Sequence, residues 1–298
     1  AAGKVSVQLD QVTIINNGLH GLHIADQLTD SDAGISLTLR RSTVVNNGIG
    51  VIDFDGVRVD EGGDGDLHAS IQRSNIDGNG GDGLELDERG DGSVYASVSR
   101  SSFDDNGFFD ENFDPENPPE GRDEQDLDDG FDIDEAGTGG IDVRVTRSQA
   151  INNFDEGFDF DEEDEGGISM NFSRVQAVGN SDEGIKAGEE DEGGLWAKLD
   201  RVELIGNGDD DKAVEASGGE GIQLSEEDEG NSYVRLSQVA ASGNGSQGIK
   251  IEEEDEGRLT TFLNRVDAWA NGNTGVVIEE SGDGGLYAFI DRLESNKN

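Results

Sequence analysis

The chain has no cysteine, so neither a disulfide framework nor a thiolate zinc site is open to it. Basic residues are scarce: 21 Lys+Arg stand against 68 Asp+Glu, for a formal net charge of -47 at pH 7. An anion excess of that size repels DNA, RNA and anionic membrane surfaces. No apolar run approaches the roughly 18 residues that a bilayer-crossing helix needs. Aromatic residues make up 6% and hydrophobic residues 32% of the 298, close to the composition of self-repelling disordered segments. Glycine is abundant at 45 residues, but proline, at 3, is too rare for a Pro-rich disordered chain. Composition leaves folding open, and periodicity settles it.

Laid out in rows, the sequence repeats with a period of about 27 residues. Rows 67–93, 141–167, 168–194, 232–258 and 259–285 are clean, rows 5–34, 35–66, 94–140 and 195–231 carry insertions, and 286–298 stops partway. Each row holds three short alternating segments, exemplified by Leu195 to Leu199, Val202 to Leu204 and Gly248 to Glu252. Alternation over about five residues marks a strand with one buried face. Gly, Asn and Asp punctuate the junctions, as turns require. Three strands and three turns per row predict one coil of a parallel β-helix, which buries its apolar face only by stacking on its neighbours. About ten coils at about 4.8 Å per step predict a rod of roughly 48 Å.

One column supports this reading. The thirteenth position of every row is Asn: Asn17, Asn47, Asn79, Asn106, Asn153, Asn180, Asn207, Asn244, Asn271 and Asn298. Asn tolerates the left-handed backbone of a tight turn, and stacked Asn side chains can hydrogen-bond along the rod. On this column the sequence resembles the right-handed parallel β-helix superfamily, the pectate-lyase-like fold, over essentially the whole chain. The resemblance implies an all-β protein: a single right-handed parallel β-helix domain over 1–298, with about ten coils, three strands per coil and an asparagine ladder. It does not select a function, because the fold hosts lyases, hydrolases, adhesins and phage fibres. A second column places Arg at the seventh position, in Arg41, Arg73, Arg100, Arg147, Arg174, Arg201, Arg265 and Arg292. These are expected to cap a corner and pair with neighbouring carboxylates.

The acid collects in the turn that closes each coil: DEEDEG at 161–166, then EEDEG at 189–193, 226–230 and 253–257. Stacking turns these runs into columns of like charge, at a cost on the order of 1 kcal/mol per exposed contact. Divalent cations would offset that cost. Clustered carboxylates beside glycines are hard oxygen ligands suited to Ca2+. The expected ligands in this turn are Glu163, Asp164, Glu190, Asp191, Glu227, Asp228, Glu254 and Asp255. None of the runs has EF-hand spacing or the GGxGxD nonapeptide, and a solvated, salt-screened surface of halophilic type is the competing expectation.

The outward positions of the third segment give a second candidate site. Three consecutive coils offer the carboxylate pairs Glu85/Asp87, Asp132/Asp134 and Asp159/Asp161, with Lys186 one coil further on. Insertions near 49–55, 108–129 and 209–218 fall at the corner before this segment and are expected to wall the face. Six stacked carboxylates suit one or more Ca2+. In enzymes that this fold resembles, acids on an equivalent face bind calcium or act as general acid and base. Paired carboxylates also perform glycosidic chemistry at a suitable separation, so Asp132, Asp159 and Lys186 are the catalytic candidates. The net charge opposes an anionic substrate unless calcium bridges the two, and the cluster has few bases, Lys186 and Arg122. The polygalacturonase-type Asn-Thr-Asp and Arg-Ile-Lys signatures are absent. Tyr95, Trp196, Tyr233, Trp269 and Tyr287 are assigned to the first segment as a packing ladder or a platform for sugar rings.

These readings converge on an extracellular acidic β-helix, secreted or at the cell surface. It would bind Ca2+ along stacked Asp/Glu turns and serve as a rigid surface, adhesive or structural module. The alternative is a Ca2+-dependent polysaccharide lyase or glycoside hydrolase. Divalent cations and a polysaccharide or cell-surface partner are the expected ligands, and the uncapped ends suggest end-to-end association or a longer chain.

Overall fold

The computed structural model describes residues 3–29, 31–50, 54–107, 128–208 and 219–297. They form 24 strands and no helix, so no helix long and apolar enough to cross a membrane occurs among them. The first and second segments of the coils build one 15-stranded sheet, and the third segments build a 9-stranded sheet. Every pairing is parallel, and each segment lies in register on its counterpart one coil away. Phe131, Asp132 and Ile133, for example, pair with Phe158, Asp159 and Phe160. This register turns each position of the repeat into a column along the rod.

The seventh-position column makes the bend between the first two segments. Arg41, Arg73, Arg100, Arg147, Arg174, Arg201, Arg265 and Arg292 all adopt φ between 52° and 62°. In strand Leu195–Ile205 the inward residues are Leu195, Ala197 and Leu199 before the bend, then Val202 and Leu204 after it. A single left-handed residue shifts the alternation by one and lets both segments face the core. Carboxylate pairing is a secondary feature: Arg41 donates to Asp10 at 2.6 Å and Arg201 lies 3.3 Å from Asp200.

The left-handed turn expected of the thirteenth-position asparagines is taken by the residue before each of them. Asn16, Asn46, Asp105 and Asn152 have φ of 55–58°, and Gly78, Gly179, Gly206 and Gly243 serve the same purpose. The ladder asparagines from Asn47 to Asn271 are buried, Asn17 at the first coil is exposed, and the file hydrogen-bonds along the rod. Asn153 Nδ2 and its backbone N–H both donate to Asn180 Oδ1, at 2.9 and 3.1 Å. Asn180 repeats this on Asn207 at 3.0 and 3.2 Å. Asn298 lies outside the described residues. A shorter ladder at the eighth position joins Ser42, Ser74, Ser101 and Ser148, where each backbone N–H donates to the next Ser Oγ at 3.2 Å. Further along, Val175, Val202, Val239 and Val266 replace serine, and the first two segments run on as single strands such as Ile168–Val178.

The core is one continuous cluster, with its bulkiest members in the middle of the rod. Phe103, Phe131, Phe158, Phe160 and Phe172 are fully buried and meet mainly edge to face, with Phe131 and Phe160 5.4 Å apart. On the third-segment strands these phenylalanines alternate with Asp132, Asp159 and Asp161, so the most voluminous part of the core supports the most acidic face. Trp269 closes a second segment rather than a first. Most of the insertion near 108–129, part of that near 49–55 and all of 209–218 lie outside the described residues, as does Arg122.

Candidate functional site

Strands Leu84–Glu88, Phe131–Gly137 and Phe158–Asp164 carry the six predicted carboxylates side by side. Glu85 pairs with Asp132 and Asp132 with Asp159, while Asp87, Asp134 and Asp161 form the next column. The positions point away from the core, yet Glu85, Asp87, Asp132 and Asp159 are 2–7% exposed. Carboxylates so deeply withdrawn from water require compensating charge.

Part of that charge comes from two bases placed at opposite ends of the cluster. Arg58 donates to Glu85 at 2.6 Å and to Asp60 at 2.8 Å, and lies 3.5 Å from Asp87 and 3.7 Å from Asp55. Lys186 Nζ lies 2.7 Å from Asp159, 3.1 Å from Asp161 and 3.8 Å from Glu156. Burial works against the Lys186 charge, but Asp159, Glu156 and Asp161 outweigh it and hold the ammonium well above its usual pKa. Lys186 is therefore a cation in this arrangement, not a base. Burial, reinforced by Asp159, pushes Asp161 up to about 7. A cavity of about 380 Å³ opens over the cluster, lined by Asp87, Arg89, Asp132, Asp134, Asp159 and Lys186, among others.

A third column, absent from the sequence reading, completes the site. Asp55, Asp82, Asp129, Glu156, Glu183 and Glu220 each precede the glycine that opens a third segment, and all are buried. Each aspartate caps the coil above it: the backbone N–H of Asp82 donates to Asp55 Oδ1 at 3.1 Å, and that of Glu156 to Asp129 Oδ1 at 2.7 Å. The first coil holds His20 at this position, whose Nδ1 accepts from the Asp55 N–H at 3.1 Å. Burial and then the Glu156 carboxylate raise Asp129 well above the ordinary carboxylate range.

Corner and face columns converge. Asp55, Asp82 and Glu85 bring ligand atoms within 4.8 Å of one another, as do Glu85, Asp132 and Asp134; Asp129, Asp132 and Asp159; and Asp129, Asp155 and Glu156. Glu85, Asp132 and Asp129 each belong to two of these groups, so the four form a connected chain of oxygen clusters. Asp159 Oδ1 is buried there without a hydrogen-bond partner. An all-carboxylate donor set with an orphaned oxygen fits a hard divalent cation, and these residues would hold it.

No family model and no curated protein matches the sequence. Among solved structures, "Crystal structure of pectate lyase Pel9A" aligns with a TM-score of 0.51 and 14% identity, over 97% of this chain and 70% of that one. The chain has the pectate-lyase-like parallel β-helix fold.

In this pectate-lyase-like rod the closing turns are organised differently from the expectation. Glu163, Asp164, Glu190, Asp191, Glu227, Asp228, Glu254 and Asp255 are exposed. The aspartates among them make the turn, with φ of 70–80°. The first glutamate of each run points inward instead. Glu61, Glu88, Glu135, Glu162, Glu189, Glu226 and Glu253 are all 0–1% exposed. They stack in register from coil to coil, as in Glu135 on Glu162 and Glu189 on Glu226. Burial first, and the carboxylate of the next coil second, push Glu189 up to about 8 and Glu226 to about 7. The signal for this column was present in the alternation: Phe158 and Phe160 face the core, and two residues on, so does Glu162.

Proposed function

We propose that this β-helix binds Ca2+ on its third-segment face through Glu85, Asp129, Asp132, Asp134 and Asp159, and uses the ion to hold an anionic polysaccharide there. The observation that carries the proposal is the connected set of oxygen clusters sharing Glu85, Asp132 and Asp129. The open cavity and the orphaned Asp159 oxygen support it. A bound divalent cation also removes the objection that a chain of net charge -47 repels such a polymer. On this reading the protein is a rigid, secreted or surface-displayed module. Thermal melting in millimolar Ca2+, against NaCl of equal ionic strength, tests it. Saturation at about 100 times Kd adds about 2.7 kcal/mol of stability, and Asp132→Asn with Asp159→Asn removes the share of the gain that the face site supplies. A melting temperature that follows ionic strength alone refutes calcium binding and favours the salt-adapted surface.

A second reading, cleavage of the bound polysaccharide, rests on Lys186 lying 2.7 Å from Asp159 at the edge of the clusters. The fold likeness to a pectate lyase is consistent with it. A cation on Asp129, Asp132 and Asp159 would draw off the negative charge that keeps Lys186 protonated, so the amine becomes a usable base only when the metal is bound. Incubation with polyuronates and Ca2+ tests this through unsaturated products. Product from wild type and none from Lys186→Met supports cleavage, and no product from either leaves a binding module.

A further inference from the structure

The inner glutamates of the closing turns form a column that neither the acidic face nor the fold explains. Glu162, Glu189, Glu226 and Glu253 are fully buried, and neither oxygen of any of them accepts a hydrogen bond from an N–H or hydroxyl group. The charged groups that face them are acidic: Asp164 toward Glu162, Asp191 toward Glu189, Glu227 and Asp228 toward Glu226, and Asp255 toward Glu253. Four successive carboxyl groups that meet only one another inside a dry turn are unfavourable unless a proton or a cation is shared between them.

The turn also contains a cradle. Four residues after each inner glutamate stands a glycine, as in Glu162/Gly166, Glu189/Gly193, Glu226/Gly230 and Glu253/Gly257. A Cβ on Gly193 would lie 2.0 Å from Glu189 Oε1 and 2.1 Å from the carbonyl oxygen of Gly166, one coil below. The corresponding distances are 1.9 and 2.5 Å at Gly230, and 2.1 and 2.2 Å at Gly257. Only glycine fits there, because a carboxylate oxygen and a carbonyl oxygen from two coils crowd the place of a Cβ, which brings these two oxygens within about 4 Å of each other. The rung spacing of about 4.8 Å also places a cation midway between stacked carboxylates about 2.4 Å from each, inside the roughly 2.3–2.6 Å range of Ca2+–oxygen bonds.

We propose that the closing turns hold a row of Ca2+ ions along the rod, each bound between successive inner carboxylates of Glu162, Glu189, Glu226 and Glu253 with the glycine carbonyl of the coil below. The mixed carboxylate and carbonyl donors are hard oxygens. The ligands come from adjacent coils, so each ion ties one coil to the next. The exposed acids of the same turns, such as Glu190 and Asp191, give the approach to the column its negative field. The row is separate from the third-segment face and stands whether or not that face binds metal.

The test uses the full chain, stripped of metal with a chelator and then titrated with Ca2+ alone. Bound calcium is counted by elemental analysis and the melting temperature is followed. Three proteins are compared: wild type, the isosteric Glu189→Gln/Glu226→Gln variant, and the face variant Asp132→Asn/Asp159→Asn. The proposal expects the first variant to lose bound calcium and part of the calcium-dependent rise in melting temperature, while the face variant keeps both of these contributions. A Glu189→Gln/Glu226→Gln protein with wild-type calcium count and melting response overturns it. A wild type that binds no calcium overturns this row and the face site together. A loss confined to the face variant overturns the row alone. Infrared spectra compare wild type with the Glu189→Gln/Glu226→Gln variant. A carboxylic-acid carbonyl band that persists at neutral pH in the calcium-saturated wild type and weakens in this variant means that the column carries protons, and this too overturns the proposal.

Discussion

Glu189 and Gly193 fit together because one lacks what the other needs: a Cβ on Gly193 would come within 2.0 Å of Glu189 Oε1. The pairing makes a sharp prediction about glycine. Gly193→Ala forces a methyl group against that oxygen and the fixed Gly166 carbonyl, and is expected to cost about 3 kcal/mol. Gly206 has φ of +65° and open space around it, so Gly206→Ala meets only backbone strain of about 1 kcal/mol. Urea denaturation of the two variants side by side checks the order.

The asparagine ladder predicts a larger loss. Asn180→Ala removes the oxygen that accepts from the Asn153 backbone N–H and Nδ2, as well as the donor to Asn207 Oδ1. Buried N–H groups are stranded in the coil below, at an expected cost of about 2–4 kcal/mol. Asn180→Asp keeps the acceptor and loses only the donors, but buries a charge. Both should melt below wild type. Retention of the wild-type melting temperature by Asn180→Ala would show that the ladder contributes little.

Lys186 is expected to have opposite effects with and without calcium. Its ammonium lies within 4 Å of Asp159, Asp161 and Glu156, so Lys186→Met leaves three crowded carboxylates without their cation. The metal-free variant should be destabilised by about 1–2 kcal/mol, reduced from the value for a fully buried pair because the lysine is partly exposed. Its gain on adding Ca2+ should exceed that of wild type, because the ion then replaces the missing charge. Paired melting curves with and without calcium measure both effects.

Asp104 predicts a pH dependence away from any metal site. Its backbone N–H donates to Asp77 Oδ1 at 3.0 Å, and Gln149 Nε2 donates to its Oδ2 at 2.6 Å. Burial pushes it up to about 6 from an ordinary value near 3.8. The folded state therefore binds this proton more tightly than the unfolded state. The associated stability is complete below about pH 4 and is lost as pH rises through 6. Asp104→Asn keeps an acceptor for Gln149 and removes the titration. It should flatten the stability profile between pH 4 and 6 by on the order of 1 kcal/mol, after allowance for partial solvent exposure.

The repeat was legible because the ladder position tolerates no other residue: Asn17 through Asn271 all sit in one hydrogen-bonded file, so the period shows in the sequence. The bend at Arg201 was not legible, since arginine has no preference for left-handed backbone and only the one-residue shift from Leu199 to Val202 reveals it. The face carboxylates Glu85, Asp132 and Asp159 followed from parity. Glu162 obeyed the same parity and was missed, because an acidic residue was assigned to solvent on charge alone. Asp82 and Asp129 were hidden for another reason. They lie at the corner where insertions interrupt the spacing, so the recurring acid before each glycine did not stand out.

Stacked asparagines are separated by 27, 30, 32, 37 or 47 residues along the chain, yet the column is unbroken. Extra chain therefore leaves the rod only at corners, and the rod itself lengthens or shortens only by whole turns. Loss of one repeat unit would remove together one ladder amide, one inner glutamate and one pair of positions on the third-segment face. The length of the rod, and with it the ion capacity that the proposed sites would give, should then rise or fall in whole steps.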